Sequence, residues 1–437
     1  MNTTFIPIIM FVGLLAALLV GIPIAFASGI VALISAYLLW GSSSIFGLLT
    51  AAVGTMNNWT LLAIPLFTFM AMVLWKTGVV EDLYDTFYKW TGFLRGGLAV
   101  TSVVVGAIMG AITGVVAGTV IALGTIALPQ MLKYKYDRYI AMGSILSGGT
   151  LGQLIPPSTL MIVYGTMTGV SVGGLFAGGI SSGLLLTAIY CIYILVKSYL
   201  KKDLCPIPSA EDRASMKEKI ESLRGVMLPI LLVLSVLGSI FGGYATPTEA
   251  SAVGCAGALL CAFIKRTLCW KNIKEAGIET LKTTAMVGWI TIGALFFGQV
   301  FTAIGGNKLV MDIAMIIPFG KWGFVAVYLM IIFFLGMFLD PVPIVIICAP
   351  IFAPIAANLG FDPLWFGIIS MVCIQTGYLS PPFGYSLFYL KSVVPKDITL
   401  GDIYKSALPF LVLQVIGVIL VVVFPKLAMW GVYLLMK

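Results

Sequence analysis

The chain has 437 residues, 60% hydrophobic and 10% charged, with a formal charge of +8, no histidine and a mean hydropathy of +1.09. That is the composition of a polytopic membrane protein; its basic residues lie between apolar runs and build no RNA- or DNA-binding motif, so no nucleic-acid partner is expected. Lacking histidine, it has no His-based catalytic triad or His-ligated zinc, and its seven scattered cysteines with no CxxC pair read as small buried hydrophobes, so no enzyme is expected.

At roughly 20 apolar residues per span, the sequence holds about ten full spans. The start, MNTTFIPIIMF, carries no basic residue before its apolar run, which argues against a cleaved signal peptide and for a first span at 4–20. Gly21 and Pro23 turn it into a second at 24–41. Residues 42–59 are weakly apolar and are expected along the surface, and 60–75 spans until Lys76. Segment 79–95 sets Glu81, Asp82, Asp85 and Lys89 among Leu83, Tyr84, Phe87, Tyr88 and Trp90. It is amphipathic and too charged to cross, and is expected flat in the interface.

Residues 97–132 are apolar but too long for one span and are interrupted at Thr113-Gly114, so a re-entrant hairpin is expected. In 139–165 lies SGGTLGQLIPPS (Ser147–Ser158), which cannot remain helical because Pro156 and Pro157 lack N–H donors and clash with the preceding turn. A span at 175–196 leads into the charged loop 197–226, where SAEDRASMKEKIESL is expected as a short surface helix. The order then recurs: spans at 227–243, 247–264 and 281–303, a flat segment at 307–320, an apolar stretch 322–359 broken at Asp340-Pro341, a broken helix at 363–389 containing QTGYLSPPFGY, and a last span at 406–424.

A shift of 225 residues carries Pro129 onto Pro354, Gly152 onto Gly377, Pro156-Pro157 onto Pro381-Pro382 and Tyr164 onto Tyr389, an internal repeat of about 200 residues. Five full spans per half is an odd number, so the second half must enter the membrane opposite to the first. With the N-terminus outside, 21 of the 25 Lys and Arg face the cytoplasm, leaving Lys308, Lys321, Lys426 and Lys437 outside. The expected fold is therefore an all-α polytopic membrane protein in a lipid bilayer, an inverted-repeat transporter with about ten transmembrane helices, two re-entrant hairpins and two broken helices. Its parts are scaffold helices at 1–58, a span and interfacial arm at 59–96, a transport unit at 97–196, a cytoplasmic loop at 197–226, scaffold helices at 227–280, a span and arm at 281–321, and a second transport unit at 322–437.

Broken backbone within a bilayer is tolerated only where protein or a watery cavity satisfies it, which points to the breaks as the central site. Half-helix N-termini offer N–H groups to an anion and C-terminal carbonyls can ligate a hard cation. No Lys or Arg is placed within the breaks, so a carboxylate substrate would need helix dipoles, hydroxyls and bound Na+ as compensation. Candidate cation ligands are carbonyls and hydroxyls at Thr113, Val115, Gly152 and Ile155, and in the repeat at Gly336, Gly377, Ser380 and Phe383; glycines there would equally let helices pack closely. Asp340 at the second tip is read as a cation ligand or hydrogen-bond acceptor beside substrate, or as a cap of the following half-helix. Thr150, Pro156, Ser158, Thr376 and Tyr378 line the breaks as substrate candidates. Glu249, after Pro247, reads as a capping residue.

SGGTLGQLIPPS, LLAIPLF at 61–67, TPTEASAV at 246–253, LGMFLDP and LSPPFG at 379–384 resemble the large membrane subunit of tripartite ATP-independent periplasmic (TRAP) transporters over nearly the whole chain. The resemblance implies an architecture similar to divalent-anion sodium symporters, with a scaffold and an elevator-like transport domain in a bacterial inner membrane. It implies sodium-driven uptake of an organic acid delivered by a periplasmic substrate-binding protein, with a small four-helix membrane subunit on the scaffold. Sodium sites would fall on Thr113, Val115, Gly152 and Ile155, and on Gly336, Gly377, Ser380 and Phe383. Where the family's first hairpin often has serine, Val115 offers only its carbonyl. The chain starts directly with a span, so the small subunit is expected as a separate polypeptide. Sialic acid and C4-dicarboxylates both suit the family, overall likeness tipping toward sialic acid; the alternative is a free-standing sodium/carboxylate symporter.

Overall fold

The computed structural model describes residues 6–114, 116–207 and 214–436, and among them every regular element is helical. The first half comprises α1 (Ile6–Leu19), α2 (Ile24–Trp40), α3 (Ser44–Met56), α4 (Ala63–Lys76), α5 (Val79–Thr91), α6 (Gly97–Thr113), α7 (Val116–Lys133), α8 (Arg138–Leu151), α9 (Thr159–Thr168) and α10 (Val172–Leu200). The second comprises α11 (Met216–Phe241), α12 (Pro247–Ile264), α13 (Trp270–Ala303), α14 (Gly306–Ile316), α15 (Gly320–Phe338), α16 (Pro341–Asn358), α17 (Pro363–Tyr378), α18 (Tyr385–Lys391), α19 (Leu400–Val423) and α20 (Pro425–Leu435).

Both helix pairs and both broken helices fall where the sequence places them. α6 gives way to α7 at Gly114, which sits at φ +62°, a conformation L side chains rarely adopt. α15 gives way to α16 at Leu339-Asp340, and the Pro156-Pro157 and Pro381-Pro382 peptide bonds, both cis, lie in the gaps between α8 and α9 and between α17 and α18. Matching side chains start the matching helices. Asp137 accepts from the N–H of Tyr139 and Ile140 at 3.1 and 3.0 Å, and Asp362, 225 residues on, accepts from Leu364 and Trp365 at 2.8 and 3.0 Å. Thr246 and Glu249 form a capping box at α12, the role expected of Glu249.

Three boundaries differ from the sequence reading. The expected separate surface helix in 209–223 is corrected: residues 208–213 lie outside the described residues, and from the Ser215–Glu218 capping box α11 runs unbroken to Phe241. α13 starts at Trp270, not 281, and at 34 residues is about 51 Å long, so its first turns project beyond any bilayer core. α20 follows the span expected to be last and packs on α10, where the Gly431 N–H donates to Ser181 Oγ at 2.9 Å. In the first two the backbone hydrogen bonds carry on through a change in polarity that a hydropathy reading takes for a boundary, whereas α20 is a new helix that starts at Pro425 after non-helical Phe424.

Among the described residues, ten helical segments are long and apolar enough to cross a membrane. They include α7, α15 and α16 but neither α1 nor the four half-helices, each of which is short by itself; joined end to end, α8 with α9 and α17 with α18 reach spanning length. The core lies around these broken helices. Every residue from Ile140 to Leu151 and from Trp365 to Tyr378 is buried, the mark of helices surrounded by protein on all sides. By contrast Phe26, Ile30, Ile34, Leu38, Phe46 and Leu49 on α2 and α3 are exposed, an apolar outer face suited to lipid.

Packing crosses between the halves reciprocally. α7 lies on α18 and α16 on α9, while α8 packs on α19 and α17 on α10. Helix α5 is fastened to α11 and α12: Thr86 Oγ1 donates to the Ser222 carbonyl at 2.9 Å, Trp90 Nε1 to that of Lys219 at 3.3 Å, and Lys265 pairs with Asp82.

Candidate functional site

The first half of the site forms where α6 and α8 end together. Gly110 and Gly152 meet backbone to backbone: a Cβ on Gly152 would lie 2.6 Å from the Gly110 Cα, and one on Gly110 would be driven into the Gly152 Cα. The second half repeats this with α15 and α17, where a Cβ on Gly377 would lie 2.5 Å from the Gly336 carbonyl carbon. Each contact presses two helix C-termini together. The last four carbonyls of a helix have no intrahelical partner, and the macrodipole puts partial negative charge there. Two such ends side by side make a cradle of oxygen for a hard cation. No cluster of three or more Cys, Asp or Glu with metal-binding spacing is present among the described residues, so a cation here would be held by carbonyls and hydroxyls. That donor set suits sodium.

Of the first set of expected ligands, Gly152 is buried at the end of α8 and Ile155 lies half-buried in the turn after it, its side chain packed against Gly183. Thr113 is the last residue of α6, and Val115 lies outside the described residues. In the second set, Gly336, Gly377 and Ser380 are buried. Phe383 is 54% exposed, its ring 5.7 Å from that of Phe338 at the end of α15, so only its carbonyl suits a buried ligand set.

The substrate candidates divide by what their polar atoms already do. Ser158 is committed: its Oγ donates to the Gln153 carbonyl at 2.6 Å and accepts from the Met161 N–H, capping α9. Thr376 Oγ1 reaches the Val372 carbonyl of its own helix at 3.4 Å, and Pro156 is buried in the turn. Asp340 caps α16, its Oδ1 accepting from the Val342 N–H at 3.2 Å, and its carboxylate lies within electrostatic reach of the Tyr378, Tyr385 and Tyr389 hydroxyls. The carboxylate thus caps a helix and faces the second break.

Thr150 and Tyr378 each bond a residue the sequence reading passed over. Thr150 Oγ1 donates to the Ser147 carbonyl at 2.9 Å and accepts from Gln375 Nε2 at 3.2 Å; Tyr378 donates its hydroxyl to Gln153 Oε1. Because the Thr150 proton is used, Gln375 must turn its NH2 toward Thr150. Its buried Oε1 then has no protein partner among the described residues. Both pairs are separated by 225 residues, the repeat shift itself. A residue that touches its own repeat mate sits on the pseudo-two-fold axis, so these bonds mark where the halves meet. The shift was legible in the sequence and carries Thr150 onto Gln375 and Gln153 onto Tyr378. Gly110 was signalled too, by the Gly106-x3-Gly110-x3-Gly114 spacing of closely packed helices.

Residues 11–427 match the family described as "Tripartite ATP-independent periplasmic transporter, DctM component". The chain is 33% identical over 393 residues to a C4-dicarboxylate TRAP transporter large permease protein of Pseudomonas aeruginosa, covering 90% of each, and 29% identical to a sialic acid TRAP transporter large permease protein of Vibrio cholerae, covering 95% of each. In fold it is similar to the YdaH transporter of Alcanivorax borkumensis, with a TM-score of 0.61 at 14% identity and 90% of each chain covered.

Proposed function

The chain belongs to the DctM component family of tripartite ATP-independent periplasmic transporters, and on that premise we propose that it moves a small organic acid inward together with sodium. As a large permease of that family it is a multi-pass membrane transporter, not an enzyme, and takes up solute with a periplasmic binding protein. The observation that carries the sodium reading is the twofold meeting of helix C-termini at Gly110–Gly152 and Gly336–Gly377. Sodium bound there supplies the positive charge that an anionic substrate lacks from the protein, since no Lys or Arg falls within Ser147–Ser158 or Gln375–Tyr385.

In this reading the chain's own residues hold and exclude. Carbonyls at Thr113, Val115, Gly152 and Ile155 form one cation site, and those at Gly336, Gly377, Ser380 and Phe383 the other. Thr150, Pro156, Ser158, Asp340, Thr376 and Tyr378 border the substrate space between them. The unit of α6 to α10 and α15 to α19 travels as an elevator past α1, α2, α11 and α12. The two hairpins re-enter from opposite faces, and the N-terminus is periplasmic. A separate small four-helix membrane subunit braces the fixed part. The substrate is of the C4-dicarboxylate or sialic acid class, the former favoured by the higher identity to its permease.

The test is uptake into proteoliposomes carrying this chain with its small subunit and binding protein. A sodium gradient should drive accumulation, potassium in its place should abolish it, and Asp340→Asn should lower it with the protein still folded. Equal uptake in potassium overturns sodium coupling. Uptake undiminished when the binding protein is left out favours a free-standing symporter.

A further inference from the structure

The two candidate cation sites are 225 residues apart in sequence, yet they are joined by side chains. Gln153 lies in the short non-helical turn between Gly152 and Ile155, and Tyr378 is the last residue of α17, between Gly377 and Ser380. Their hydrogen bond links the turn that supplies carbonyls to one site directly to the turn that supplies them to the other. One helical turn away, Gln375 and Thr150 make a second axial bond. All four residues are in the broken helices, so both bonds stay intact however the unit moves against the rest of the protein.

We propose that Gln153 and Tyr378 are positioning residues that make the two cation sites cooperative. A cation at the first site fixes the 152–155 turn and with it the amide of Gln153. That amide holds the Tyr378 hydroxyl and thereby the 377–380 turn, so the second site is ordered before its ion arrives. By linkage the effect runs equally in the other direction. The axial position explains why so few bonds suffice: here corresponding residues of the two halves are adjacent. Tyr378 therefore acts between the sites as well as bordering the substrate space.

This inference rests on the sodium-coupled reading, and its test separates the two. Initial uptake is titrated with sodium for the unmodified transporter, Tyr378→Phe, Gln153→Leu and the double variant. The unmodified protein should give a Hill coefficient near the number of coupled sites, about 2, and each single variant should fall toward about 1 while still requiring sodium. The double variant should be no worse than either single one, because both break the same bond. If one variant does not fold, the other reads the same bond, and Thr150→Val, which removes the second axial bond, should give a partial fall. A Hill coefficient unchanged in any folded variant lacking the Gln153–Tyr378 bond overturns the proposal while leaving sodium coupling standing. Absence of any sodium requirement in the unmodified transporter overturns both.

Discussion

The two breaks share a sequence pattern and a position in the repeat, but they are packed to different tolerances. In the first, Gly110 and Gly152 are in backbone contact from both sides, and Ser158 ties the turn shut by binding the Gln153 carbonyl and capping α9. In the second, a Cβ on Gly377 would also strike backbone, 2.5 Å from the Gly336 carbonyl carbon, and Ser386 Oγ ties the turn by donating to the Tyr378 carbonyl, but a Cβ on Gly336 would still stand 3.3 Å from the Gly377 Cα, α18 follows Gly384 with no side-chain cap, and Phe383 leans outward on Phe338. Repeated sequence fixes the path of the backbone; the side chains around it set how much each copy can give. The two copies differ at the hairpin glycine, Gly110 against Gly336, and at the start of the second half-helix, which Ser158 caps in α9 and no side chain caps in α18.

Substitutions at paired positions sharpen this contrast. Gly110→Ala should have the largest effect, destabilising by about 3 kcal/mol because backbone would have to move on both helices, read as lost monodisperse protein or a lowered Tm in detergent. Ser158→Ala should cost about 1–2 kcal/mol by uncapping α9 and stranding the Gln153 carbonyl, the capping part having no counterpart at Gly384. Phe383→Ala should cost about 1 kcal/mol through the lost ring contact, measured as a small Tm shift. Gly336→Ala should be mildest, about 0.5 kcal/mol, since the neighbour need shift only a few tenths of an ångström. Equal Tm values for Gly110→Ala and Gly336→Ala would erase the difference between the breaks.

Much of this was legible beforehand. The Pro pairs, Gly114 and Asp340-Pro341 locate every break because each residue acts on its own backbone. The run of α11 through its charged first turns and the early start of α13 were not legible, since hydropathy reports polarity and not whether the next N–H finds its carbonyl; the 11-residue α20 is too short to register as a further span. Within the site, Ser158, a substrate candidate, also caps α9, and Gln153 and Gln375, which the sequence did not single out, face Tyr378 and Thr150. A hydroxyl's partner depends on the third dimension even where its helix does not.

The bond from Gly431 to Ser181 joins groups separated by 250 residues, so the ribosome must make nearly three-fifths of the protein between them. At roughly 5–20 residues per second, α10 emerges about 10–50 s before the helix that covers it. During biogenesis the nascent first half must wait in the insertion machinery or in lipid with that hydroxyl uncovered. Truncation before α20 would leave this waiting state permanent, making it a natural target for membrane quality control.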